Sequence, residues 1–238
     1  PSISVVKLSK EQRNIYNEVK DGSVMLSDDV EMEIDEVIVE YIRLQQVCGG
    51  FFPDALDDKG KGIDPKTIKG KNPSLTELVR ISELYDRSEP LVIFCKYQAE
   101  VDMIADAIAK ARYKVRDRSK HPICVGRFYG GNDGAHREMQ AFKDGDITVI
   151  VGTFSMMAKG HDLYMANTTL YYSFPFSYDL MEQSEDRTNR ISSTNEARYH
   201  VIIRENTIDE IIWQILKDRK SLSDYINNEL ANRQAKGH

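Results

Sequence analysis

Leu91-Val-Ile-Phe-Cys95 is the stretch that decides the fold. Five apolar residues in succession read as a strand buried on both faces, the pattern of a parallel sheet covered by helices on either side. Its flanks have a different period. Leu75, Leu78, Val79 and Leu84 before it predict one helix, and Val101, Ile104, Ala105 and Ile108 after it predict another.

From Asn72-Pro73 onward the pattern alternates in this way to the end of the chain. Further strands are expected at Ile123 to Phe128, Ile147 to Val151, Thr169 to Ser173 and Arg198 to Ile203, with helices near Asp133 to Lys143 and Asp179 to Ile191. Five strands joined by helical crossovers call for an α/β fold, a mostly parallel sheet flanked by helices on both faces. A closing helix begins at the capping box Thr207-Ile-Asp-Glu210 and is expected to run past Tyr225.

The first third reads differently. Ser9-Lys-Glu-Gln12 is a capping box that opens a helix through about Val19. A second helix, roughly Asp29 to Cys48, carries Val37, Tyr41, Leu44 and Cys48 along one side and stops at Gly49-Gly50. Residues 51 to 72 are rich in Gly, Asp, Lys and Pro without periodicity and read as a loop or linker. The expected division is therefore 1–72, a helical lead-in with a mobile linker, and 73–238, the sheet lobe with its closing helix.

Composition bounds the function. The chain has 238 residues, 41% hydrophobic and 29% charged, an ordinary globular balance. No apolar run approaches the ~18 residues of a membrane span, and no signal-peptide pattern opens the sequence, so an intracellular protein without a membrane partner is expected, cytoplasmic if bacterial or phage. Cys48, Cys95 and Cys124 are widely spaced, and no histidine sits at ligand spacing from another. Neither a disulfide framework nor a metal site is expected. The net charge of −6 argues against a surface that binds nucleic acid everywhere. One local exception stands out: Lys110, Arg112, Lys114, Arg116, Arg118, Lys120 and Arg127 occur with a single acid, Asp117, among them. Such a cluster either neutralises backbone phosphates or is a solvated helix end and loop.

In open parallel sheets, ligands bind where the strands end. The loops holding Gly130-Gly131, Thr153 to Asp162 and Phe174 to Tyr178 are candidates, and the third leads into Gln183-Ser-Glu-Asp-Arg187-Thr-Asn-Arg190. Spacings of three and four put Gln183, Arg187 and Arg190 on one helix face. Arginine holds its charge at any working pH and presents a planar fork that suits phosphate oxygens. The plain alternative is a solvated basic face.

Taken in order, these residues resemble the C-terminal lobe of superfamily-two helicase-like ATPases, and among them the Swi/Snf-type translocases. Leu91 to Cys95 is similar to the family's motif-four strand, followed by Tyr129-Gly130-Gly131, then Arg137 and Phe142. Thr153, Gly160, Asp162, Leu163 and Ala166 resemble motif five, and Gln183, Arg187 and Arg190 resemble motif six. Leu8 to Tyr16 and Arg43 to Gly49 look like the family's helical lead-in, and Thr207 to Glu210 with Lys220 like its closing helix. The resemblance implies a RecA-like lobe that works with an N-terminal RecA-like lobe, ATP being clamped between the two. It makes Arg190 the more direct arginine finger on the γ-phosphoryl and Arg187 its partner, with Gln183 orienting one of them or touching nucleotide. Thr153 would contact a nucleic-acid phosphate, and Gly160 and Asp162 would couple that contact to the ATP site. Double-stranded DNA is the partner implied, with single strands and RNA left open.

The chain departs from the pattern. Ser155-Met156-Met157-Ala158-Lys159 stands where a glycine pair is common in motif five, and two adjacent methionines read as packing material. Ser192-Ser193 replaces the usual Gly-Gln after motif six, and Asn189 stands where His or Arg is frequent. A divergent member, bacterial or viral, is implied. No Gly-x-x-x-x-Gly-Lys-Ser/Thr phosphate loop occurs, Gly70-Lys71-Asn72 being no substitute. Asp35-Glu36 superficially looks like the family's acidic metal motif but falls in a helical pattern rather than at a strand end. The resemblance therefore implies that ATP and Mg2+ are held mainly by the first lobe, and that this chain is part of a longer motor and hydrolyses no ATP by itself. The competing reading is a RecA-like module that binds nucleic acid or protein without catalysis. A dinucleotide enzyme lacks its signature, since no Gly-x-Gly-x-x-Gly follows the first strand.

Overall fold

A computed structural model describes residues 1–24, 34–53, 65–85, 88–113, 125–189 and 197–227. In chain order the elements are β1 (Ser2–Val6), α1 (Lys10–Val24), α2 (Ile34–Gly49), β2 (Phe51–Pro53), β3 (Pro65–Thr67), α3 (Pro73–Ser82), β4 (Leu91–Cys95), α4 (Gln98–Tyr113), β5 (Val125–Phe128), α5 (Ala135–Asp144), β6 (Val149–Thr153), α6 (Phe154–Met157), β7 (Thr168–Tyr171), α7 (Tyr178–Thr188), β8 (Arg198–Arg204) and α8 (Ile208–Lys217). They fall into two compact units. One comprises Pro1–Val6, Pro73–Pro175 and Asp179–Ile203; the other comprises Lys7–Asn72, Phe176–Tyr178 and Arg204–His238.

The first unit is built on a six-stranded sheet in the order β1-β8-β7-β4-β6-β5. The pairs β4–β6, β4–β7, β5–β6 and β7–β8 are all parallel. Leu91 to Cys95 lies in the middle and every one of its residues is buried. Leu91, Ile93 and Cys95 join one core cluster with Leu78 and Ile81 of α3 and Val101, Ile104, Ala105 and Ile108 of α4. On the other face Phe94 packs against Phe154 (ring centroids 5.1 Å apart) and Tyr171 (5.7 Å). Each such side chain removed from water contributes on the order of 1.5–3 kcal/mol, which is why a five-residue run so apolar must be central.

Several expectations need correction. The sheet has a sixth strand, β1, at its edge; only Val6 of its apolar residues packs on the core cluster, while Ile3 and Val5 are exposed, so it lacks the pattern of a buried strand. Leu84 lies beyond the end of α3 and is 64% exposed, and Ile81 takes the core position instead. The closing helix is not continuous. It stops at Lys217, Arg219 takes a positive φ of 57°, and a separate helical turn occupies 222–227.

In the second unit the capping box at Ser9 forms in full, Gln12 N–H donating to Ser9 Oγ and Ser9 N–H to Gln12 Oε1. Gln12 Nε2 also donates to the carbonyls of Val47 and Cys48, closing the end of α2. The segment read as loop after Gly50 contains a short antiparallel hairpin, with Phe51 opposite Thr67 and Pro53 opposite Pro65. Three-residue strands rich in proline carry no readable period. A buried ion pair, Arg204 Nη1 to Asp209 Oδ2 at 3.0 Å, lies at the start of α8, whose cap Thr207 accepts from Asp209 N–H. Asp35 and Glu36 lie on α2, as the helical pattern required.

Candidate functional site

Because the strands run parallel, the loops after β4, β5, β6 and β7 open at one end of the sheet. Cys95 pairs with Thr153, and Phe128, Gly152, Phe94 and Tyr171 stand in register across it. Helix α7 is seated there by its inner face. Met181, Ser184 and Thr188 are buried, the hydroxyls of Tyr171 and Ser184 are 3.0 Å apart, and Tyr199 Oη donates to the Glu185 carbonyl at 3.3 Å. Gln183 and Arg187, one turn apart, are thereby turned away from the sheet and remain half-buried.

Arg187 is gripped by the loop that follows β6. Its Nε donates to the carbonyl of Ala158 at 3.0 Å, and the N–H of Leu163 donates to its own carbonyl at 3.0 Å. Ala158, Leu163 and Ala166 are fully buried, so the loop that holds the arginine is rooted in the core. Among the described residues the Arg187 side chain makes no further hydrogen bond, which leaves Nη1 and Nη2 for another acceptor. The Gln183 side chain makes none within the same residues. A guanidinium fixed through Nε and open at both Nη atoms is arranged to meet two oxygens of one anion.

The loop itself depends on two glycines. A Cβ on Gly152 would come within 2.5 Å of both Met157 Sδ and the Phe128 carbonyl, so α6 lies against the strand only because nothing projects there. Met157 is fully buried, which is the packing role its sequence suggested. Gly160 has φ of 74°, a left-handed conformation that reverses the chain ahead of His161 and Asp162.

The remaining candidates are placed as follows. Thr153 ends β6, is 3% exposed, and its hydroxyl lies 3.2 Å from that of Ser155, which is exposed. Ser155 is the outward member of this pair and was not singled out by the sequence; two hydroxyls spaced i, i+2 at a strand-to-helix turn are the signal that could have found it. Asp162 is half-buried in the loop beside Gly160. Arg127 does not stand free: its Nε is 3.2 Å from Asp102 and its Nη2 is 2.6 Å from Asp106. Lys114, Arg116, Arg118, Lys120 and Arg190 lie outside the described residues. After β5, Gln98 Nε2 donates to the Gly130 carbonyl at 2.7 Å and Asn132 Oδ1 accepts from Gly134 N–H at 2.9 Å, ordering the approach to α5. Among the described residues no group of three or more His, Cys, Asp or Glu is placed to hold a metal ion, and no helix is long and apolar enough to cross a membrane.

The model of the helicase conserved C-terminal domain matches residues 70–192, a range that includes α3 to α7. The chain belongs to this family. Within the helicase C-terminal domains it is similar to the ATP-dependent helicase FUN30 of Saccharomyces cerevisiae, at 23% identity over 91% of the chain. It spans only 19% of the length of that relative. Among solved structures it matches the C-terminal part of the Fun30 ATPase domain with a TM-score of 0.69, at 13% identity, covering 99% of this chain and 97% of that one. It matches the Sulfolobus solfataricus SWI2/SNF2 ATPase core in complex with dsDNA with a TM-score of 0.65, at 20% identity, over 91% of this chain and 43% of that one. The fold is thus the RecA-like lobe of helicase C-terminal domains.

Proposed function

We propose that this helicase C-terminal domain is the second motor lobe of an ATP-dependent nucleic-acid translocase or helicase, and that Arg187, with Arg190 as the more direct finger, brings positive charge to the γ-phosphoryl of ATP held on a first lobe. The observation that carries the reading is the grip on Arg187: Nε tied to the Ala158 carbonyl, Nη1 and Nη2 without a partner among the described residues. A charge held in place before the reaction needs no reorganisation when negative charge spreads over the phosphoryl oxygens, and such a group contributes ~10³ to 10⁵ in rate. Gln183, one turn earlier, would face the same anion.

ATP and Mg2+ fit this site only in part. The Arg187 fork suits phosphate oxygens, and the metal and most of the nucleotide would be held by the first lobe. Nucleotide would supply the energy of the cycle. This lobe would supply charge and its coupling to nucleic acid.

For the nucleic acid, the exposed Ser155 hydroxyl, backed by Thr153, and the basic residues Lys114, Arg116, Arg118 and Lys120 would meet the phosphate backbone, with duplex DNA the preferred partner; Arg127 would join them only by leaving Asp102 and Asp106. The loop from Thr153 through Gly160 and Asp162 to Leu163 is the connection between that contact and Arg187. One observation favours the competing module without catalysis: Thr153 is buried against Ser155 rather than presented outward. Steady-state ATP hydrolysis by the complete two-lobe protein, with and without duplex DNA, separates the two readings. Loss of stimulated hydrolysis in a folded Arg187→Ala variant supports the motor lobe, and an unchanged rate supports the module.

A further inference from the structure

His161 occupies the middle of the segment whose two ends grip Arg187. Ala158 accepts from the side chain before it and Leu163 donates to the main chain after it. Its ring stands edge-on to Phe128, with centroids 4.8 Å apart and planes at 82°. The same phenyl ring meets His136 of α5 at 5.8 Å and 79°, and the two imidazole centroids are 6.3 Å apart. Phe128 is fully buried at the end of β5, so it fixes His161 while packing the loop onto the sheet. The charges that reach His161 from the neighbouring helices are those of Lys143 and His136 on α5 and Arg187 on α7, all basic. On its own loop it is flanked by Lys159, Gly160 and Asp162.

We propose that His161 is a positioning residue for Arg187: its neutral imidazole lets the 158–163 segment hold the guanidinium, and a proton on His161 weakens that hold. The proposal deepens the reading given above and rests on Arg187 being the group that serves ATP hydrolysis. Burial lowers the pKa of His161, and Lys143, His136 and Arg187 lower it further, so the imidazole is uncharged near neutrality. Coupling of this kind is reciprocal. Whatever free energy the Arg187 charge adds against a proton on His161, that proton adds against Arg187 in its present place. Activity is therefore full above the folded-state pKa of His161, which lies below ~6.5, and falls as the pH drops through it.

Two measurements test this. In the complete protein, kcat/KM for ATP against pH reports groups of the free enzyme. The native protein should lose about tenfold per pH unit on the acid side. His161→Phe, which keeps the ring against Phe128, should hold its neutral value at least one pH unit further down, and His161→Gln should do the same. A variant that follows the native acid limb overturns the proposal. Arg187→Ala separates the two layers: if it hydrolyses ATP like the native protein, the motor reading fails. If it is inactive while His161→Phe tracks the native curve, only the role of His161 fails. The second measurement needs no turnover. In an NMR titration of the 238-residue chain, Arg187→Ala should raise the pKa of His161, and an unchanged titration curve contradicts the coupling.

Discussion

Arg187 and Ala158 are joined side chain to main chain, Nε to carbonyl oxygen at 3.0 Å, although 29 positions separate them in sequence. This bond ties helix α7 to the loop that follows β6. It uses Nε, where a lysine carries a methylene, and Lys offers only a single ammonium at the tip of a flexible stem. Arg187→Lys should therefore fail to rescue function: ATP hydrolysis by the complete protein is expected to fall nearly as far as in Arg187→Ala. The fold should lose only ~0.5–1.5 kcal/mol with the bond, measured as a small drop in the urea midpoint.

Gly152→Ala should be the more damaging of two matched glycine changes in the sheet. A Cβ there meets Met157 Sδ and the Phe128 carbonyl, both at 2.5 Å, and the backbone oxygen cannot swing aside. At Gly126 the nearest atom, Ile150 Cδ1 at 2.6 Å, is the tip of a side chain. The expected cost of Gly152→Ala is ~1–3 kcal/mol, with Gly126→Ala costing less. Thermal denaturation of both variants checks the order.

Asp209 and Arg204 are both fully buried, 3.0 Å apart. Burial pushes the Asp209 carboxyl up while Arg204 pulls it down. Asp209→Ala removes the buried carboxylate that Arg204 Nη1 bonds and should cost ~3–5 kcal/mol, whereas the double change Arg204→Met with Asp209→Leu should recover most of the loss. Equal destabilisation by the single and double changes, seen in urea unfolding, would contradict this account of the pair.

The pH dependence of stability follows from two histidines. Burial is the larger cause that lowers the pKa of His161 and of His200, whose Nε2 is bonded to the Tyr85 hydroxyl. Between their folded pKa values and ~6.5 the unfolded chain binds more protons than the native one. Their contribution is thus complete above that range and is lost as the pH falls through it. The midpoint temperature should be lower at pH 5.5 than at pH 7.5, and His200→Gln should remove part of the difference.

What was legible in the sequence divides along physical lines. Leu91 to Cys95 and the helix of Val101, Ile104, Ala105 and Ile108 were readable because burial on both faces leaves no polar residue in the pattern. The capping box at Ser9 and the Thr207 cap were readable because a side chain that bonds nearby backbone is a local device. β1 was missed because its outward residues Ile3 and Val5 meet solvent, and the β2–β3 hairpin because three residues set no period. In the site, the spacing of Gln183 and Arg187 set their common face, but the partner of Arg187 is a main-chain carbonyl, and no side-chain letter announces that. Motif matching gave Asp162 a coupling role and passed over His161 beside it, although His161 is the residue that packs on Phe128 and feels the arginine's charge.

The most direct test of the central claim is the rate of ATP hydrolysis by the complete protein with duplex DNA, native against Arg187→Ala, with folding of both verified by circular dichroism. The account predicts a DNA-stimulated native rate that falls ~10³-fold or more in the variant. A variant that hydrolyses ATP at the native rate would contradict it, and would leave the arginine face as a binding surface without a part in the chemistry.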